Sequence, residues 1–324
     1  MKVLVTGGTS LLGGGVARAL HARGDEVTVF QRGASGLGLN ERRGSVTEPR
    51  EVAAAVEGMD AVVHLAARVA ATGDWASFEA TNVAGTQTVV SAAAAAGVRR
   101  FVQVSSPSVA HGGEPLVGAG ATPADPEATS GRYARSKALG EVAALDANRH
   151  GFAVVAIRPH LVWGPGDTQL VGRIVERARQ GRLAIVGSGA ALIDTTYVDN
   201  AVEALVAAVD RAPYLGGRAF VVSNGQPRTV KELLSRIVAA AGLPSPTLRV
   251  PAAIATSGGR VVEMVWERQG RGDDPPMTRF LAEQLSTAHW FDQRQTRDAL
   301  QWRPRIGLDE GFRRLTEWFA GKAS

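Results

Sequence analysis

No cysteine occurs among the 324 residues. That excludes a disulfide scaffold, a thiol nucleophile and every zinc or iron–sulfur site that needs a thiolate. Lysine is scarce as well: Lys2, Lys137, Lys231 and Lys322 stand against 32 arginines. The basic residues form no block, and the longest runs are pairs such as Arg42–Arg43 and Arg313–Arg314. Nucleic-acid footprints cluster their charge. The net charge of +5 therefore reads as an arginine-biased, solvated surface, and no nucleic-acid partner is expected. No apolar run reaches the roughly 18 residues that span a bilayer. No charged-then-apolar leader opens the chain, which predicts a cytoplasmic protein. The six histidines show no metal-ligand spacing, so no metal is expected.

What is present is the material of a large core. A hydrophobic share of 45% beside 21% charged residues excludes disorder as the main state. Strand-like apolar runs recur at Lys2–Thr6, Glu26–Phe30, Asp60–Leu65, Arg100–Val104 and Phe152–Ile157. Helical patterns lie between them, at Leu11–Leu20, Glu51–Val56, Ala76–Ala96 and Tyr133–Asn148. Such alternation predicts α/β architecture: a doubly wound parallel sheet that presents ligand at the carboxyl ends of its strands. After Gly164–Pro165–Gly166 the rhythm changes to short, mixed elements, with Thr229 and Glu232 forming a capping box before a helix through Ala241. Residues 1–165 are thus expected to form a dinucleotide-binding (Rossmann) domain. Residues 166–324 are expected to form mainly a smaller substrate-binding cap, with segments near 190–225 returning to the first domain.

Between the first strand and the first helix runs Thr6–Gly7–Gly8–Thr9–Ser10–Leu11–Leu12–Gly13. Gly7 permits the tight turn, Gly13 permits close helix–strand packing, and the free N–H groups from Thr9 to Leu12 face a pyrophosphate. Ser10 stands where a middle glycine is usual, and its Cβ could shift the phosphate contact. At the end of the second strand an acidic residue would hold the ribose 2′-hydroxyl of NAD. This chain has Gln31–Arg32 there. A guanidinium favours a 2′-phosphate, so NADP(H) is the expected cofactor, with NAD(H) as the alternative should Arg32 only face solvent.

Tyr133 and Lys137 lie four apart and so share a helix face. A free phenol is a poor acid–base group at neutral pH, and a nearby ammonium lowers its pKa. With three tyrosines and four lysines in the chain, such a pair is rare by chance. Ser105 and Ser106 end the strand before that helix. A serine hydroxyl there can donate to a substrate carbonyl oxygen.

In order, Thr6–Gly7…Gly13, His64–Leu65–Ala66–Ala67, Asn82–Val83–Ala84–Gly85–Thr86, Ser105–Ser106, Tyr133…Lys137 and Arg158–Pro159…Trp163–Gly164–Pro165–Gly166–Asp167 follow one another. The set resembles the extended short-chain dehydrogenase/reductase family over nearly the whole chain. The resemblance implies that Tyr133 donates or accepts the proton, Lys137 holds the nicotinamide ribose, Ser106 holds the substrate oxygen and Asn82 supports them. It places Leu65, Ala66, Ala67 and Pro159 along the cofactor. The family's usual Asp for the adenine amine is replaced by Ser45. A homodimer packed through the Ala76–Ala96 and Tyr133–Asn148 helices is a further implication.

Within the family, Pro107–Ser108 after Ser106 departs from the Asp-Glu of sugar-nucleotide dehydratases. Ser105–His111, Asp194–Asn200 and Pro275–Phe280 are instead similar to the 3β-hydroxysteroid dehydrogenase subgroup. The run from Arg158 to Gly187 resembles most the bacterial 2-alkyl-3-oxoalkanoate reductases, which reduce a β-keto acid with NADPH. Either substrate is large and apolar, and Ser108, His160, Val162 and Trp163 are expected to face it. A lone histidine such as His160 is more often structural. Arg173, Arg177, Arg179 and Arg182 leave room for a sugar-nucleotide epimerase with tightly held NAD. The amphipathic segment Pro251–Trp266 would either close over a pocket, touch a membrane surface or simply face the core.

Overall fold

The apolar runs become the centre of one sheet. The computed structural model describes residues 1–70, 73–268 and 279–323. Seven parallel strands form the main sheet: β1 (Lys2–Thr6), β2 (Glu26–Gln31), β3 (Asn40–Arg43), β4 (Ala61–His64), β5 (Arg100–Val104), β6 (Ala153–Pro159) and β7 (Arg218–Val222). Their spatial order is β7-β6-β5-β4-β1-β2-β3. The winding reverses between β1 and β4, the switch point at which a doubly wound sheet opens a crevice for ligand. β1, β4, β5 and β6 are buried almost end to end. Helices cover both of their faces, which is why these strands read as continuous apolar runs rather than alternating ones.

Two strands lie outside the five apolar runs. β3 reads Asn-Glu-Arg-Arg; it is an edge strand, where polar side chains keep a row of free backbone groups from pairing with other chains. β7 comes from the second half of the chain and pairs with β6. The helix that leads into it, α4 (Val198–Leu215), packs against α1 (Leu11–Ala22). The approach is close enough that a Cβ on Gly15 would come within 2.6 Å of the Val202 side chain.

The stretch expected as one helix from Ala76 to Ala96 is three pieces. A short turn, Trp75–Phe78, leads into a π-helical turn, Glu79–Ala84, and then into α2 (Gly85–Ala95). The wide turn carries Asn82 inward. There the next helix, α3 (Arg132–Asp146), crosses it so tightly that a Cβ on Gly140 would lie 2.3 Å from the Asn82 carbonyl oxygen.

In the second half, Thr229 accepts a hydrogen bond from the Glu232 N–H and opens a helix over Val230–Ala240, as the capping box predicts. The amphipathic segment is a helix over Ala252–Arg268. It packs with the helix Arg279–Ser286 on a small cluster of Val186, Ala255 and Ala282, while Ile254 stays exposed. The side chains of Val261, Met264, Val265 and Trp266 lie outside the described residues, as do residues 275–278 of the Pro275–Phe280 stretch. Among the described residues no helix is long and apolar enough to cross a membrane.

Candidate active site

Thr6 ends β1 opposite His64 of β4. Its hydroxyl sits 2.8 Å from His64 Nδ1 and accepts from the N–H groups of Leu65 and Ala66 at 3.1 and 3.0 Å. That pins the Leu65–Ala67 segment against the glycine-rich turn. Gly7 (φ +75°) faces it so closely that a Cβ would come 2.9 Å from the Ala66 nitrogen. Ser10 does not block the turn: its hydroxyl donates to the Gly7 carbonyl at 2.9 Å and accepts from the Gly13 N–H at 3.0 Å, making it the N-cap of α1. The N–H groups of Leu11 and Leu12, at the first two helical positions, are left without an intrahelical partner. At the end of β2, Gln31 Oε1 is buried with no hydrogen-bond partner, and Arg32 beside it is exposed. After β3, the Ser45 N–H donates to Glu51 at 2.7 Å and its hydroxyl pairs with Thr47. A cradle of bare backbone, a helix N-terminus and an orphaned acceptor at the ribose end fit a dinucleotide.

Ser105 and Ser106 follow β5. Ser106 caps a 3₁₀ turn over Pro107–Ala110, and its hydroxyl is 2.9 Å from that of Ser108. α3 brings Tyr133 to the same place, where the Ser106 hydroxyl hydrogen-bonds the phenol. One turn on, Lys137 is buried and its Nζ donates to the Val104 carbonyl at 2.6 Å. Asn82 spends its amide on the Arg68 backbone, accepting from N–H at 2.7 Å and donating to C=O at 3.1 Å, and on Ser136 Oγ at 2.9 Å. It therefore clamps α3 rather than lining the cavity.

The pKa directions depart from the spacing argument. Burial pushes the Tyr133 phenol up to about 12, against a weaker pull from Ser106, and the Lys137 charge does not offset it. The ammonium is turned to a backbone carbonyl instead. At neutral pH the phenol keeps its proton, the form that serves a carbonyl being reduced. Burial lowers Lys137 from its ordinary 10.5 to about 8, opposed by Glu141. If the charged form is needed, turnover should fall about tenfold per pH unit above roughly pH 8. The fold should not fail with it. The unfolded chain binds more protons between about pH 8 and 10.5, so this group's contribution to stability grows as pH rises through that window. Rate profiles from pH 6 to 10 beside thermal unfolding test this; a flat rate to pH 10 contradicts it.

A cavity of about 470 Å³ opens over these residues. Leu11, Val104, Leu116, Pro159, Leu161, Val162, Leu170 and Phe291 give it apolar walls, and Ser105, Ser106, Ser108, Tyr133 and His160 line it as well. Trp163 does not. It is 1% exposed, stacks on Phe312 and donates to Thr195 Oγ1 at 2.9 Å. The expectation that it faces substrate is corrected: the β-strand pair Val162–Trp163 alternates, and only Val162 points to the crevice. Two further histidines, His111 and His289, join His160 on the wall. Among the described residues no group of three or more His, Asp or Glu side chains is placed to hold a metal ion.

Residues 3–223, which hold the whole main sheet but for Lys2 at the start of β1, match the NAD dependent epimerase/dehydratase family. The chain belongs to that family. It is 41% identical over 324 residues to a 2-alkyl-3-oxoalkanoate reductase of Stenotrophomonas maltophilia, covering 97% of this chain and 98% of that one. A reductase of the same name from Shewanella oneidensis is 36% identical, covering 96% and 84%. Among solved structures, MoeE5 in complex with UDP-glucose and NAD superposes with a TM-score of 0.77 at 25% identity, both chains being covered in full. The extended short-chain dehydrogenase/reductase fold is thereby shown.

In this family member the segment Asp194–Asn200 ties the second half to the sheet. Asp194, wholly buried, accepts from Ser223 Oγ at 2.5 Å and from the N–H groups of Gly225 and Gln226, both at 3.1 Å. Thr196 Oγ1 lies 2.7 Å from the carbonyl of His160 and 3.0 Å from that of Val222. Asn200 accepts from Arg305 and Ile306 N–H and donates to the Ile306 carbonyl. Asp167 caps the helix Val171–Arg179 through the N–H groups of Gln169 to Val171. These polar residues are scaffolding. A buried pair that spacing alone does not reveal is Glu141 with Arg158; its signal in the sequence is the continued spacing of four from Tyr133 through Lys137.

Proposed function

We propose that this protein reduces a long-chain 2-alkyl-3-oxoalkanoate to the 3-hydroxy acid with NADPH. The carrying observation is the full-length similarity to two reductases of that name. The largely apolar cavity beside Tyr133 and Ser106 supports it. When bound, the nicotinamide supplies the hydride for the carbonyl carbon. The Tyr133 hydroxyl gives its proton to the carbonyl oxygen, and Ser106 Oγ donates a hydrogen bond to the same oxygen as charge develops. Lys137 holds the ribose side, and the apolar walls exclude water. The arginines Arg173, Arg177, Arg179 and Arg182 are not among the residues lining the cavity, which weighs against a sugar-nucleotide substrate. We extend the reading to a cytoplasmic protein and to a homodimer, the dimer being what the sequence resemblance implies.

The test is nicotinamide absorbance on mixing the protein with NADP⁺ or NAD⁺ and either a long-chain 2-alkyl-3-hydroxy acid or a 3β-hydroxysteroid. Reduction of NADP⁺ with the branched acid is expected. Activity on the steroid alone would overturn the substrate assignment. The exposed Arg32 beside Gln31 supports a 2′-phosphate. Arg32→Ala should cost about 10–100-fold in kcat/KM with NADPH and little with NADH, the worth of one charge-assisted hydrogen bond. Equal losses with both cofactors would remove Arg32 from that role.

A further inference from the structure

Of 32 arginines and four lysines, none is among the described residues lining the cavity. Yet the proposed substrate brings a carboxylate, two bonds from the carbon that Tyr133 and Ser106 serve. Burying that charge without a partner is costly. Among the described residues, the only wall side chains able to answer it with a positive charge are three imidazoles, 178 residues apart at their extremes: His111, His160 and His289.

They form one cluster. His111 Nε2 and His289 Nε2 are 2.8 Å apart, so one must donate and the other accept. The Gly113 N–H donates to His111 Nδ1 at 3.4 Å, which leaves the proton of His111 on Nε2 and makes His289 the acceptor. The His160 ring lies 6.4 Å from that of His289 and edge-on to Phe291. His160 is 7% exposed, and its Nε2 has no hydrogen-bond partner. Its main chain is held at both ends, N–H to the Val222 carbonyl at 3.0 Å and C=O by Thr196 at 2.7 Å. The next residue, Leu161, sits at φ 41°, a left-handed conformation that a leucine keeps only where its surroundings enforce it. A native fold rarely leaves a buried polar nitrogen orphaned and its backbone strained without use.

We infer that His111, His160 and His289 form the carboxylate subsite of the β-keto acid, taking up the anion together with one proton. The inference rests on the substrate reading above. Burial holds the imidazoles neutral: His160 is lowered to about 3, with His289 and His111 adding to the effect, His289 to about 4, with His111 adding to it, and His111 is lowered as well. The charges of Glu114 and Glu283 act on His111 in the opposite sense, as the Thr287 backbone does on His289; Tyr133 and Asp167 are the other titratable groups on the wall. An arriving carboxylate reverses the balance. Whether the proton then sits on imidazole or carboxyl, the complex is neutral there, and affinity for the acid falls up to tenfold per pH unit as pH rises. A neutral ester of the same substrate escapes that dependence.

The experiment compares a long-chain 2-alkyl-3-hydroxyalkanoate with its methyl ester. Calorimetry on the protein with NADPH, in two buffers of different ionisation enthalpy, should show about one proton taken up per acid bound and none per ester. With NADP⁺, His160→Leu should lower kcat/KM for the acid by roughly 10–100-fold and for the ester by much less. His111→Gln, which breaks the imidazole pair, should act in the same direction. If either variant fails to fold, the wild-type proton count decides alone. Acid binding without proton uptake, or equal losses on acid and ester, overturns the subsite and leaves the reductase reading intact. Turnover of neither compound overturns that reading, and the subsite with it.

Discussion

Tyr133→Phe is expected to cut turnover by about 10²–10⁴-fold while leaving cofactor affinity and stability near those of the parent protein. The phenol lies in the cavity wall, hydrogen-bonded to Ser106, and keeps its proton at neutral pH. Burial holds that proton up to about pH 12, so the phenol stays in its donor form across the neutral range. Phenylalanine keeps the ring and its packing on α3 and removes only Oη. Ser106→Ala should cost less, since it removes one oriented donor and leaves the proton in place. Cofactor titration by fluorescence and single-turnover reduction separate binding from chemistry. A Tyr133→Phe protein within tenfold of the parent rate would sink the proton-donor assignment.

The part of this site that could be read from sequence is the part carried by short spacing. Gly7 to Gly13 and Tyr133 to Lys137 each lie within one turn or one helix face, so their chemistry survives in a linear reading. The central strands were legible because burial on both faces makes most of their residues apolar, in short unbroken runs. β3 was not: an edge strand of Asn-Glu-Arg-Arg has neither apolar run nor alternation, and only its pairing with β2 makes it a strand. Trp163 was misread because size and apolarity do not distinguish a cavity wall from a core. The phenol's raised pKa was unpredictable from spacing, which brings Lys137 to the right face but does not say that its Nζ turns to Val104. The histidine cluster is beyond any local pattern, since His111 and His289 are 178 residues apart and meet where the strand His289–Phe291 pairs with the strand Leu116–Ala119.

Glu141→Leu or Arg158→Leu is expected to destabilise the fold by about 3–5 kcal/mol, while the double replacement should cost much less than their sum. The two side chains are 0% and 1% exposed, and the guanidinium meets the carboxylate twice, at 2.9 and 2.5 Å, with a third bond from Nη1 to the Thr122 carbonyl at 2.7 Å. Removing either partner strands the other as a buried, unpaired charge; removing both leaves only a packing fault. Denaturant melts of the two single variants and the double close the cycle, and strictly additive losses would refute the coupling. The pair also reaches the chemistry. Glu141 lies one turn beyond Lys137 on α3 and holds that ammonium's pKa up against burial. A double variant that folds but lacks the carboxylate should therefore lose rate at lower pH than the parent, its alkaline limb moving below about 8. A merely structural pair would change the height of that profile and leave its position alone. The shift distinguishes a salt bridge that only holds α3 to β6 from one that also keeps Lys137 charged under working conditions.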